Sequence, residues 1–177
     1  MTAGQPPDFP TIYASEFAYV WKTLRRLGAP PKDIEDLTHD LFVVVHRRLP
    51  EYDPARPLRP WLFGIAVRVV SDYRRSFRNS REVLDPIAAT PDAIDQAPRQ
   101  DENLAGSQAR TLLMRALDLL DFDRRAVLVM HDLDEVPMPE IASTLDIPLN
   151  TAYSRLRLAR ADVLAAARRL SEPEGTP

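Results

Sequence analysis

At 177 residues the chain has room for one domain or two small ones, each with a modest core. Only five glycines and a sustained 3.6-residue periodicity point to an all-α fold. The complete lack of cysteine excludes a disulfide framework, a cysteine-based zinc site and a thiol nucleophile.

Neither a secretory signal nor an apolar run long enough to span a bilayer is visible, so a soluble, cytoplasmic protein without direct membrane contact is expected. A net charge of −3 looks wrong for a nucleic-acid binder, but its distribution answers the objection. Seven arginines stand between Arg56 and Arg81 against Asp72 alone, and five between Asn150 and Leu170 against Asp162 alone. Between these stretches, residues 82–102 carry six acids against Arg99. Local field matters more than the total in such a polarised layout.

Residues 1–10 are proline-rich and read as a disordered leader. A first helix is predicted from about Thr11 to Leu27, with Phe17, Val20, Leu24 and Leu27 inward, ended by Gly28 with Pro30 and Pro31 beyond it. Asp33 is the expected N-cap of a second helix reaching about Leu49, with Ile34, Leu37, Leu41, Val44 and Val45 facing the core. Pro50, Pro54 and Pro57 break the chain into a loop, and Pro60 suits the first turn of a third helix. That helix is expected to reach about Phe77 and to bury Leu58, Leu62, Ile65 and Val69, flanked by Trp61 and Tyr73.

Residues 82–108 sustain no period and read as a flexible acidic linker punctuated by Pro86, Pro91 and Pro98. Helical periodicity resumes over Thr111–Leu120 (Leu112, Leu113, Ala116, Leu117, Leu120), followed by a helix from about Asp123 to Leu133. The tail from Ser171, residues 171–177, is expected to be disordered.

Met138 to Arg160 has helix-turn-helix spacing. A short helix carries Ile141, Ala142 and Leu145 inward, and a tight connection runs through Asp146, Ile147 and Pro148. A second helix begins near Asn150 and keeps Ala152, Leu156, Ala159 and Val163 on one stripe. Its opposite face shows Thr151, Tyr153, Ser154, Arg155, Arg157 and Arg160, a cationic surface with short hydroxyls suited to a DNA major groove. An ordinary helical hairpin with solvated arginines is compatible with the same pattern.

The order of these segments resembles a bacterial RNA polymerase sigma factor of the sigma-70 family, extracytoplasmic-function type. The run from Asp33 to Phe42 (DIEDLTHDLF) resembles the region-two helix that docks on the polymerase clamp. Trp61 to Ala66 (WLFGIA) followed by Ser71 to Arg75 (SDYRR) resembles its promoter-melting helix. Pro139 to Ala142 (PEIA) through Ser154 to Arg160 (SRLRLAR) resembles the region-four reader of the −35 element. The likeness covers about residues 11–81 and 110–170, and implies a region-two domain over 11–81 and a region-four domain over 109–170.

It further implies that the acidic ridge of Glu35, Asp36, His39 and Asp40 binds core polymerase. Trp61, Arg68, Asp72, Tyr73, Arg74, Arg75 and Arg78 would serve the −10 element, and Asn150, Thr151, Tyr153, Ser154, Arg155, Arg157 and Arg160 the −35 element. A basic helix with aromatics suits stacking on unpaired bases and holding phosphates, although Trp61 and Tyr73 are also compatible with core roles. The implied partners are core RNA polymerase (clamp and flap), promoter DNA and an anti-sigma factor. No catalytic residue, cofactor or metal is expected.

The chain departs from the family at His39, where Gln is usual, at His46, where an aromatic is common, and at Gly64, Arg68 and Asp146. A conventional helix-turn-helix regulator whose N-terminal half senses a ligand or dimerises is the main alternative. A helical enzyme is a weaker one, because His39, His46 and His131 lack metal-ligand spacing.

Overall fold

A computed structural model describes residues 8–81 and 104–171, and side chains within it except those of 78–81, 104 and 105. Of the predicted leader, linker and tail, residues 1–7, 82–103 and 172–177 lie outside the described residues, whereas Ser171, expected to open the tail, is still helical. Among those described every element is helical, and they fall into two compact units, each with its own core.

Three helices build the first unit: α1 (Phe9–Arg26), α2 (Ile34–Arg48) and α3 (Leu58–Arg81). α1 starts two residues before the predicted Thr11, so the loose leader expected over 1–10 does not extend through Phe9 and Pro10. Asp8 caps it by accepting the Thr11 N–H at 3.0 Å, and Pro10 is tolerated because first-turn N–H groups need no helical acceptor. Gly28 ends it with φ of 95°, a conformation costly for other residues. Phe17, expected inward, is instead 37% exposed, while Ile12, Val20, Leu24 and Leu27 are buried.

In α2 the core is Ile34, Leu37, Leu41, Phe42 and Val45, and Val44 is only half-buried. Asp33 stands at the N-cap position but its side chain makes no capping bond; its Oδ2 accepts the Tyr73 hydroxyl at 2.6 Å. α3 runs one turn past the predicted Phe77. It buries Leu62, Phe63, Ile65, Ala66 and Val70, leaving the expected Leu58 and Val69 half-buried. Glu16 of α1 holds Arg59 of α3 at 2.9 Å, and that guanidinium lies 4.9 Å from the Tyr19 ring, closing the bundle at one end.

The second unit contains α4 (Leu104–Asp118), α5 (Phe122–Leu128), α6 (Met138–Leu145) and α7 (Leu149–Ser171). α4 begins within the stretch read as linker, so residues 104–108 are helical. Asp121 caps α5 through the N–H groups of Asp123 and Arg124. The single helix predicted over Asp123–Leu133 is two elements. After Leu128 the chain widens into a π-turn over Val129–Leu133, closed by the Asp134 N–H on the Val129 carbonyl at 3.0 Å. Ala126 to Met130 are buried without interruption, which seats this segment in the core and leaves His131 and Asp132 at its edge. Buried Arg125 donates to Asp118 at 2.9 Å.

Candidate nucleic-acid interface

The predicted helix-turn-helix is present. α6 buries Ile141 and Ala142, and α7 buries Ala152, Leu156 and Ala159; Leu145 and Val163 are half-buried. The turn works as expected for an aspartate where glycine is usual: Asp146 adopts φ 53°, ψ 50°. Ile147 then donates its N–H back to the Ala142 carbonyl at 3.0 Å, satisfying the end of α6.

The seven residues expected to read DNA do not form one free set. Asn150, Tyr153, Ser154 and Arg157 are exposed, with Tyr153 at 53%. They follow one another at steps of three, one and three, opposite the apolar stripe. Thr151 is half-buried. Arg155 and Arg160 are held by carboxylates of the same unit. Arg155 Nη2 lies 2.5 Å from Asp123 Oδ2 at the start of α5. Arg160 meets Asp132 twice, Nη2 on Oδ1 at 2.6 Å and Nε on Oδ2 at 2.9 Å. A third pair, Arg124 to Asp162 at 2.8 Å, runs the opposite way between α5 and α7. The two Arg160 hydrogen bonds hold the Asp132 carboxyl below the ordinary aspartate range and raise the Arg160 guanidinium in turn.

α3 likewise divides its predicted residues. Trp61, Arg68, Asp72 and Arg75 recur at steps of seven, four and three and so share a face. Arg68, Asp72 and Arg75 are exposed, and Asp72 lies 3.7 Å from Arg75. Trp61 is half-buried, its ring 4.9 Å from that of Tyr52 in the preceding loop. Tyr73 lies on another face with Phe77 one turn later, the rings stacked with centroids 6.2 Å apart. Burial, then the hydrogen bond and the charge of Asp33, push the Tyr73 hydroxyl up to about 12. Arg74 is half-buried, and Arg78 belongs to the last turn of α3 with its side chain outside the described residues.

Glu35, Asp36, His39 and Asp40 are all exposed on α2, as expected of a ridge. Two features beside them went unread in the sequence. Phe9, Tyr13, Phe17 and Trp21 form a ladder at steps of four along α1, the helical neighbour spacing. Phe17 lies parallel to Phe42 of α2 with centroids 6.1 Å apart, and His46 meets Phe9 edge-on at 5.0 Å, taking the place of the aromatic usual at its position. Between α1 and α2 a groove of about 610 Å³ opens, lined by Tyr13, Phe17, Trp21 and Phe42 with Glu35 and His39 at its edge. Exposed Phe77, at 46%, is the other omission; a phenylalanine near the end of a basic helix was the available signal.

A recognition helix with a polar, cationic outer face and a separate arginine-bearing helix with an exposed phenylalanine define a two-part helical DNA-binding protein. The comparisons with known proteins make this specific. Residues 12–81 match the family described as Sigma-70 region 2, and residues 110–163 match Sigma-70, region 4. The RNA polymerase sigma factor CnrH of Cupriavidus metallidurans is 27% identical over 168 residues, which cover 92% of this chain and 88% of the relative. The ECF RNA polymerase sigma factor SigE of Mycolicibacterium smegmatis is 32% identical over 159 residues, 87% of this chain and 59% of the relative.

Among solved structures, that of CnrH in complex with the cytosolic domain of CnrY aligns at a TM-score of 0.63 and 25% identity, covering 91% of this chain and 88% of that one. The sigma factor RpoE from Bartonella quintana, in complex with the anti-sigma factor NepR, aligns at 0.77 and 18%, covering 91% and 97%, a likeness of fold. The chain belongs to the sigma-70 family, in its extracytoplasmic-function branch, and is an initiation subunit of RNA polymerase.

Proposed function

We propose that the region-two unit (11–81) docks on the polymerase clamp and captures the −10 element as it opens, while the region-four unit (109–170) reads the −35 element and meets the flap. The observation that carries this reading is the free outer face of α7. Asn150, Tyr153, Ser154 and Arg157 stand together and exposed on the second helix of a helix-turn-helix, the part that enters a major groove. Residues 82–103 join the two readers, so that engagement of one makes the second contact effectively intramolecular.

On α2, Glu35, Asp36, His39 and Asp40 offer an acidic surface to a basic polymerase element, next to the aromatic groove that supplies apolar area. On α3 the Arg68–Arg75 face meets phosphates, and the Tyr73–Phe77 pair offers rings to unpaired bases. The phosphodiester chemistry belongs to the polymerase, and this subunit works in the bacterial cytoplasm without a catalytic site of its own. By analogy with CnrH, which has been solved with the cytosolic domain of CnrY, an anti-sigma partner controls its release.

Two substitutions in holoenzyme assembly and transcription assays test the assignment. Arg157→Gln should weaken initiation at promoters that depend on their −35 element and leave assembly with core intact. Asp36→Arg should weaken assembly while the chain stays helical by circular dichroism. Equal loss of assembly and initiation in Arg157→Gln, or loss of neither, contradicts the division of surfaces, and so does normal assembly of Asp36→Arg.

A further inference from the structure

The recognition helix carries more arginine than it offers to solvent. Arg160 stands seven residues after exposed Tyr153, two turns along the same edge of α7, where a long cationic side chain could reach a phosphate flanking the groove. Its guanidinium is instead turned back onto Asp132 by two parallel hydrogen bonds, the strong geometry for an arginine and a carboxylate. His131 Nδ1 lies 2.6 Å from Asp132 Oδ1 and 3.4 Å from Arg160 Nη2, completing a three-residue cluster. The acid owes its position to the π-turn over Val129–Leu133, which begins within the buried Ala126–Met130 run and is closed by two backbone hydrogen bonds, Asp134 to Val129 and Val136 to Met130. Arg157, three residues before Arg160 on the outer face, has no such carboxylate among the described residues.

We propose that Asp132 is a positioning residue that withholds Arg160 from DNA, so that this pair alone removes one phosphate-neutralising cation from the recognition helix. The inference rests on α7 being the DNA-reading helix. Its consequence is an internal restraint: the free subunit binds duplex more weakly than it would with Arg160 released from Asp132. Asp123 restrains Arg155 in the same sense from the other side of the helix.

Each phosphate neutralised by a protein cation adds about 0.9 to the steepness with which log affinity falls against log salt on B-form DNA. That slope is a readout which a purely structural ion pair would not move. The full chain is titrated against a labelled duplex across a series of KCl concentrations, as wild type, Asp132→Asn, Arg160→Gln, the double variant and Arg157→Gln. Asp132→Asn should steepen the slope by about 0.9, so that a fourfold rise in salt costs it about 3.5-fold more affinity than wild type. Arg160→Gln should match the wild-type slope, and the double variant should return to it.

A slope that flattens in Arg160→Gln alone shows that Arg160 already touches DNA and overturns the proposal. So does an Asp132→Asn slope equal to wild type, or the absence of measurable binding by every protein. Because Arg160→Gln requires no release, that arm stands even where Asp132→Asn is unstable. Arg157→Gln separates the two claims. A loss of affinity there, with Asp132→Asn at the wild-type slope, refutes the restraint alone. Insensitivity to both positions refutes the assignment of α7 and the restraint with it.

Discussion

Tyr73 is where a residue expected to serve DNA is visibly engaged inside the protein, and Tyr73→Phe separates the two roles. The variant keeps the ring and its stacking on Phe77 and removes only the hydroxyl that donates to Asp33 at 2.6 Å. A hydrogen bond to a charged acceptor contributes about 1.5–3 kcal/mol when well buried. Both partners are half-buried here and water can replace the lost donor, so the cost falls below that range, at about 1 kcal/mol. For a unit of this size that is a fall in Tm of about 4–8 °C.

Alkali supplies a second readout. The hydroxyl is pushed from about 10 up to about 12 in the folded state, so its contribution is complete below pH 10 and is lost as the pH rises through about 12. Part of the alkaline loss of stability in the wild type should therefore be missing from Tyr73→Phe. Because base stacking needs only the ring, promoter opening by holoenzyme, followed by permanganate reactivity of unpaired thymines, should be unchanged. An unchanged Tm with reduced opening would refute the reasoning, since the hydroxyl would then act on DNA and not on Asp33.

Thr23 Oγ1 is buried without a hydrogen-bond partner, so Thr23→Val, nearly equal in shape, should stabilise the region-two unit by about 1 kcal/mol in chemical denaturation; a loss of stability would mean that the hydroxyl is satisfied. Asp146→Gly relieves a left-handed backbone at φ 53° and should raise the stability of the region-four unit by about 0.5–1 kcal/mol, with calorimetry as the check. Asp118→Asn weakens the charge partner of Arg125, whose side chain is only 4% exposed, and should lower the Tm of that unit, because a buried guanidinium loses its counter-charge. A neutral result there would assign the support of Arg125 to its other contacts.

Much of the fold was legible because its signals are local. Gly28 stopping α1, the stripe of Ala152, Leu156 and Ala159, and the turn at Asp146 each follow from spacing or from the backbone preference of one residue. The misreadings came from tertiary contacts. Phe17 has the period of a core residue, but it lies at the unit's surface beside Tyr13 and Trp21, covering the buried Phe42. Asp33 has the identity and position of an N-cap, yet a tyrosine forty residues later claims its carboxylate. The break at Leu128 leaves no mark on the hydrophobic pattern, because a π-turn keeps the same buried run in place.

The recognition surface was legible only as a helix face. Which of its arginines are free depends on Asp123 and Asp132, carboxylates outside the helix-turn-helix segment. The acidic ridge of α2 was visible as charges off the apolar stripe, whereas the groove beside it arises only when α1 packs against α2.

The central claim is that this chain gives RNA polymerase its promoter choice through the two units acting together. The most direct test is transcription in vitro with core polymerase from the same organism on a pool of genomic fragments, mapping every start site that depends on the added chain. The account predicts new start sites that share a −10 and a −35 element at fixed separation and that disappear with Arg157→Gln where the −35 element is required. Absence of new start sites, together with tight and specific duplex binding by the chain alone, would contradict it and identify a conventional regulator instead.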